Sequence, residues 1–478
     1  MDTPVASLVH GVLLPSTRAT KPPGWLLVAL DAGSPGVMLC PENLGTPDAG
    51  FSDFIAAVHA VTTSPLIASD EEGGEISRLY ARTPNPYPGA ASLGRHRDPR
   101  TVTAVFESYG TSLRTAGITL ALGPVADVNT DPGNPVIGVR SLSSHTRTAV
   151  DLVAASVRGL RAAGVRTCVK HFPGHGGVSN DTHHGQARSA DTKGDLEDRH
   201  VRPFWAAFAD GCDAVMTSHV TYSHLDNVPG SLSRRVVRGW LRDELGFRGA
   251  VITDAMDMHA VSPGPGTHPV VAALRAGADL VCLGPSTTAT SYTDTVTAIA
   301  RALMDGVLVR SELEVSLRRI AQLREPLPPT AIIGATPDWL SIATNAIEVV
   351  NGPLPHADGF VVSTADVSPT TAQDLDELGL GRLPHQIGTP AGAGASQRRV
   401  LVVRDLGARA HQWDTILAAV AADPALVVVE AGWPGEERDW STRVPTTVTR
   451  LRLWSNSDLS YRAATLMLTA ATTPDRTP

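Results

Sequence analysis

Lysine is almost missing from this chain. Of its 478 residues 40 are cationic, and the only lysines are Lys21, Lys170 and Lys193. Acidic residues number 48, the formal net charge is −8, and no basic stripe runs along any segment, which argues against a nucleic-acid partner. No apolar run approaches the ~20 residues that a membrane span requires. The segment before Pro15 has neither the positive start nor the apolar core of a secretory signal. Cysteines are few: Cys40, Cys168, Cys212 and Cys282 each lie in or beside an apolar, strand-like run, and none has metal or redox spacing. Buried free thiols in a reducing compartment are therefore expected. These absences leave a cytoplasmic globular protein without membrane or nucleic-acid partners, a monomer or weak homo-oligomer, long enough for two domains or one large barrel with an appendage.

What is present is an alternation. Short apolar runs at Leu8 to Leu14, Val37 to Cys40, Leu66 to Ser69, Thr119 to Leu122, Val165 to Val169, Ala214 to Thr217, Ala250 to Thr253 and Leu280 to Leu283 read as strands. Helical stretches separate them, among them Thr101 to Ala116, Thr146 to Ala163 and Arg234 to Leu245. That rhythm predicts an α/β fold with a (β/α)8 TIM-type barrel over residues 1–325. The proline-rich segment from Arg78 to Leu93 reads as a long active-site loop. Residues 326–337, opening Pro326-Leu327-Pro328-Pro329, read as a semi-rigid linker. Residues 338–473 then predict a smaller α/β sandwich, with a helix from Asp338 to Val350, strands at Gly359 to Ser363, Arg399 to Val403, Ala425 to Glu430 and Val448 to Leu453, and helices at His411 to Ala422 and Leu459 to Ala471.

Polar residues collect where the predicted barrel strands end. Asp70 and Glu71 follow the third, Asp127 and Asn129 the fourth, Lys170 and His171 the fifth, Ser218 and His219 the sixth, and Asp254 the seventh. Barrel enzymes keep their chemistry on that face. Any one of these could be a helix cap, but five in register are hard to explain that way. The densest cluster is Lys170-His171-Phe172-Pro173-Gly174-His175-Gly176 with Asp181-Thr182-His183 five residues on. Asp181 and His183 alternate across one residue, so an extended loop lets the carboxylate fix the imidazole tautomer and raise its basicity. A solvated turn is the ordinary reading of Asp-x-His. A metal site built from His171, His175, His183 and His184 is the other rival, yet nothing here has helical His-x3-His spacing or a cysteine frame.

The cluster resembles the pattern Lys-His-Phe-Pro-Gly-His-Gly-x4-Asp-[Ser/Thr]-His of the β-N-acetylglucosaminidase branch of glycoside hydrolase family 3, with every position filled. Further segments are similar to that family across roughly residues 8–285. They are Asp70-Glu71-Glu72-Gly73-Gly74 with Arg78, Gly123 to Asn129, Asn134 to Ser141, Ser231-Leu232-Ser233, Glu244-Leu245-Gly246-Phe247, and Val251 to Met258. Two features depart from it: Leu142-Ser143-Ser144 stands where Phe-Gly-x is common, and Val261 to His268 is Gly/Pro-rich.

The resemblance implies that Asp254 is the nucleophile of a retaining glycosidase and that an Asp181–His183 dyad replaces the usual carboxylic acid/base. It implies that Asp70, Arg78, Arg140, Lys170 and His171 bind the sugar, with no metal and no cofactor. Asp254 also ends an apolar strand, which suits a rigidly held nucleophile, whereas Asp257 reads as structural. The implied activity is release of terminal N-acetylglucosamine from small glycans or cell-wall muropeptides. A phosphorylase is the alternative, since a histidine acid/base does not repel phosphate as a carboxylate would. A β-glucosidase and an inactive sugar-binding protein are weaker rivals. If the barrel holds the whole site, a chain cut near Pro326 keeps its activity.

Overall fold

The computed structural model describes residues 4–45, 50–178, 187–258, 260–261, 267–330, 337–351, 354, 359–365, 397–406, 408–409, 411–435 and 437–470. Eight parallel strands form a ring: β1 (Leu13–Leu14), β2 (Gly36–Leu39), β3 (Leu66–Ser69), β4 (Leu120–Ala121), β5 (Arg166–Phe172), β6 (Ala214–Thr217), β7 (Ala250–Thr253) and β8 (Val281–Cys282). Ladders run continuously from β2 to β7 and join β1 to β8. The bridges Ser16–Met38 and Ile252–Leu280 close the circle.

The ring is a packed core, and the period-two geometry of strands explains how. Met38, Leu66, Ala68, Leu120, Cys168, Met216 and Ile252 fall in one buried cluster. Their chain neighbours Leu39, Ile67, Ala121, Val169, Val215 and Val251 fall in another, which also takes residues from the surrounding helices Pro99–Thr115 and Thr146–Ala162. The first of these helices begins as its sequence dictates. Asp98 caps it by accepting from the Arg100 and Thr101 amides at 3.1 and 3.2 Å, and Pro99 takes the first helical position.

A second sheet has the order β9 (Glu348–Val350), β13 (Thr449–Arg452), β12 (Val427–Ala431), β11 (Gln397–Arg404), β10 (Gly359–Thr364), with β9 antiparallel and the rest parallel. Val400 and Val402 pack on one face with residues of the helices Trp339–Ala346 and Asp458–Ala470. Leu401 and Val403 pack on the other with Gln412–Ala422 and Glu437–Arg443, so this unit is a three-layer sandwich. No described helix is long and apolar enough to cross a membrane.

Several expected boundaries shift. Val5–His10 is a helix, so the first strand begins at Leu13 and not Leu8; an uninterrupted apolar run does not separate the two periods. The helix expected to reach Val350 stops at Ala346, and the β-branched pair Val349-Val350 joins the sheet beside β13. Ala90–His96, the end of the expected active-site loop, is helical. The helix Glu437–Arg443 had no counterpart in the sequence reading. All four cysteines are buried and unpaired.

Candidate active site

The C-terminal ends of the barrel strands surround a cavity of about 250 Å³, lined in part by Asp70, Arg78, Asp254, Asp257, Arg18 and Ser286. That volume lies below the ~300–1,000 Å³ usual for drug-sized ligands and suits one sugar unit.

One wall is an ionic cluster built from three strands. After β3 the chain forms a hairpin, Glu71–Gly73 against Ile76–Ser77, with Asp70 and Arg78 at its base. Arg78 Nη2 donates to Asp70 Oδ2 at 3.2 Å, and Lys170 Nζ donates to Asp70 Oδ1 at 2.8 Å. Two residues on, Glu72 accepts from Arg140 Nε and Nη2, both at 2.8 Å, while Lys170 Nζ lies 2.6 Å from its Oε1. This bidentate pair fixes Arg140 in orientation as well as position. Lys170 and Glu72 side chains are each only 2% exposed, so neither charge could persist there alone. Burial pushes both carboxyls up, but the cations outweigh it: Lys170 and Arg78 hold Asp70 well below its ordinary value, and Arg140 and Lys170 hold Glu72 at about 2. Burial works against the Lys170 ammonium, yet Asp70 and Glu72 raise its pKa overall.

Lys170 and His171 are adjacent in β5, and ideal strand geometry would aim them at opposite faces. The pairing of β5 with β6 shifts register between Val169 and Phe172, and both side chains reach groups at the barrel mouth. His171 Nδ1 lies 2.7 Å from Asp127 Oδ2, and the other Asp127 oxygen accepts from the His175 amide at 2.6 Å. His171 thus spends one nitrogen on a buried carboxylate, which fixes the ring. His175 is buried, and burial lowers its imidazole to about 4. The loop carrying it passes so close to the segment after β4 that a Cβ on Gly176 would meet Val128 O at 1.8 Å, so only glycine fits.

Asp254 follows β7 on the other side of the cavity. Among the described residues its carboxylate takes one hydrogen bond, from the Ala255 amide at 2.8 Å. Burial favours its neutral form, but His171, His219 and Lys170 hold it below the ordinary carboxylate value, so it is ionised near neutrality. His219 is itself fixed by Ser231 Oγ (2.6 Å) and Ala255 O (3.0 Å). Asp257 accepts from the Ser286 amide at 2.9 Å and packs on the loop after β8.

Asp70, Arg78, Arg140, Lys170, His171 and Asp254 therefore meet at one mouth. Asp181, His183 and His184 lie outside the described residues, as does most of the Val261 to His268 stretch. Leu142, one of the departures from the family pattern, is buried in the helix-facing core. The sequence reading did not assign Glu72, which bridges the cations, or Asp127, which holds His171. Glu71 was also unassigned. It points into a cage of Ser69, Ser77 and Tyr109 hydroxyls, where burial raises its carboxyl.

Residues 33–323, more than half the chain, match the glycosyl hydrolase family 3 N terminal domain. The chain belongs to glycoside hydrolase family 3. It is 31% identical over 300 residues to β-hexosaminidase A of Pseudoalteromonas piscicida, covering 58% of this chain but only 50% of that relative. It is 36% identical over 256 residues to a β-hexosaminidase of Stenotrophomonas maltophilia, covering 52% of this chain and 75% of the relative. The fold of a family 3 β-N-acetylglucosaminidase from a Paenibacillus species superposes with a TM-score of 0.83, covering 98% of this chain and 97% of that one at 24% identity. The two proteins thus share one fold over nearly their whole lengths, barrel and appended sandwich together.

Proposed function

We propose that this chain is a retaining exo-β-N-acetylglucosaminidase releasing terminal N-acetylglucosamine from small glycans, muropeptide fragments of cell-wall recycling above all, in the cytoplasm. The observation that carries the reading is the Asp254 carboxylate facing the Asp70–Arg78–Lys170 cluster across one sugar-sized cavity. The β-hexosaminidase relatives supply the sugar class. The four unpaired thiols suit a reducing compartment.

In this mechanism Asp254 attacks the anomeric carbon as the glycosidic oxygen leaves, forming a covalent glycosyl-enzyme. Asp70, Arg78, Arg140 and Lys170 hold the sugar hydroxyls in a fixed frame, with His171 oriented by Asp127. The leaving oxygen needs a proton donor. Asp70 and Glu72 are held ionised by cations, Glu71 is caged away from the cavity, and Asp257 is engaged by the Ser286 amide, so none of these four carboxyls is suited to that task. The motif's Asp181–His183 pair fits it: His183 protonates the leaving group and then deprotonates the attacking water, while Asp181 sets its tautomer.

Incubation with an aryl N-acetyl-β-glucosaminide, with and without phosphate, tests the reading. Free N-acetylglucosamine whose first-formed anomer is β is expected. Accumulation of the sugar 1-phosphate would make it a phosphorylase, and the α-anomer as first product would rule out retention.

A further inference from the structure

Open parallel sheets usually bind their ligands beyond the carboxyl ends of their strands. In the second domain those ends meet the barrel. Arg404 ends β11, and its fully buried side chain donates through Nη2 to Glu75 Oε2 at 3.2 Å. The Asn456 amide, beyond β13, donates to Glu75 Oε1. Glu75 is the tip of the hairpin whose base is Asp70 and Arg78 and whose first strand carries Glu72. A second contact touches the other half of the same cluster. Trp433, beyond β12, packs with Trp454, Val139 and Ala91, and its Cβ would lie 3.8 Å from a Cβ placed on Gly138. Gly138–Arg140 is the turn that delivers Arg140 to Glu72.

The backbone of this edge is held in uncommon shapes. Asp405 and Trp454 are non-glycine residues at φ 47° and 52°, and Gly432 at φ 73° lies so near Asp405 that a Cβ there would be 2.1 Å from its Oδ1. Asp405 in turn accepts from Arg404 Nε at 2.9 Å and from the Trp433 amide at 2.8 Å, linking the two contacts into one unit. Such conformations persist where surrounding contacts over-determine them.

We propose that Arg404 and Trp433 are positioning residues of the sugar site: the second domain clamps the Glu75 hairpin tip and the Gly138–Arg140 turn, and so sets the spacing across which Glu72 binds Arg140. On this account the barrel alone does not suffice, and the expectation that a chain cut at Pro326 keeps full activity gives way. The inference rests on the proposed glycosidase reading for its assay.

The test uses the full-length enzyme, an aryl N-acetyl-β-glucosaminide, and a temperature well below each variant's melting point. Glu75→Gln keeps the size of the tip and removes its charge. A KM increase of ~10-fold or more is expected, since displacements of about 1 Å at a site can cost ~10²-fold. The competitive inhibition constant of N-acetylglucosamine should rise by the same factor. Arg404→Lys should behave similarly, and the double variant should be little worse than either single, the signature of one shared contact. KM, inhibition constant and kcat within twofold of wild type, whatever the melting point does, would overturn the proposal and leave the interface a purely stabilising one. Should Glu75→Gln fail to fold, Trp433→Phe carries the same test by the same criterion. A wild-type enzyme inactive on the N-acetylglucosaminide but active on another aryl glycoside would sink only the function reading, and the variants would then be compared on that sugar.

Discussion

Two edges of this molecule gather arginines and carboxylates, and they do different things with them. At the barrel mouth, Glu72 and Asp70 hold Arg140, Lys170 and Arg78 around an open cavity, with the Asp254 carboxylate facing them. At the second sheet, Glu430 lies 3.3 and 3.4 Å from Arg450 and Arg452 and accepts the Trp440 indole proton at 3.1 Å, while Glu437 takes further bonds from both arginines. A buried ionic cluster is therefore not itself the mark of a site. The mark is a charged group that faces unfilled space while its neighbours are locked. Asp254 meets that description and Glu430 does not.

The largest expected effect separates the edges by chemistry. Asp254→Asn should lower kcat by ~10⁴-fold or more, because it removes the nucleophile of the covalent step, with melting behaviour near wild type. A 2-fluoro sugar with a good leaving group should label Asp254. Label on Asp257 would reassign the nucleophile.

Next comes proton transfer. His183→Ala should cost roughly 10²–10⁴-fold on substrates with poor leaving groups and far less on activated aryl glycosides, which need no proton. Asp181→Ala should give a milder version. Azide should partly rescue the His183 variant on the activated substrate by attacking the glycosyl-enzyme directly. Equal losses for all leaving groups, without rescue, would make His183 a binding residue.

The two buried glutamates sharpen the comparison through stability. Glu72 is held at about 2 against an ordinary 4.5, with Arg140 and Lys170 prevailing over its burial and over Asp70. A depressed carboxyl stabilises the fold above its unfolded value and loses that contribution as pH falls through its folded one. The difference corresponds to about 3 kcal/mol at neutral pH, fading between about pH 4.5 and 2. Glu72→Gln should lose that much in denaturant unfolding at pH 7 and flatten the acid limb. Glu430 is shifted the other way, since burial prevails over Arg452 and Arg450. Its charged form is already disfavoured, so Glu430→Gln should cost less than Glu72→Gln and leave KM unchanged. The reverse order of stability losses would break the distinction.

The strands were legible because a barrel buries both strand faces, which leaves apolar runs such as Ala214–Thr217 and Ala250–Thr253 bounded by polar residues. Asp254, Lys170 and Asp70 were legible because they stand at the ends of those runs. Glu72 was hidden by its neighbour: Glu71 and Glu72 read alike, and only their tertiary partners tell them apart, Arg140 and Lys170 for Glu72 and the Ser69 and Ser77 hydroxyls for Glu71. Asp127 carried a similar clue, following β4 beside the strand that holds His171. The Glu75–Arg404 pair had no local signal at all, since its partners lie 329 residues apart and meet only through tertiary docking.

The smallest expected effect concerns Asp257, the carboxylate nearest to Asp254 in sequence. Its Oδ2 accepts from the Ser286 amide, and its side chain lies against Gly284, where an added Cβ would come within 1.9 Å of Oδ1. Asp257 is thus committed to shaping the loop after β8, and an asparagine in the same pose keeps one oxygen to accept that amide. A lost hydrogen bond of this kind is worth roughly 0.5–1.5 kcal/mol, and the isosteric change should lose less. Asp257→Asn should therefore alter kcat/KM only a few-fold, equally for good and poor leaving groups. A loss of ~10²-fold confined to poor leaving groups would instead make Asp257 a proton donor. The acid would then sit on the barrel beside Asp254, in place of His183.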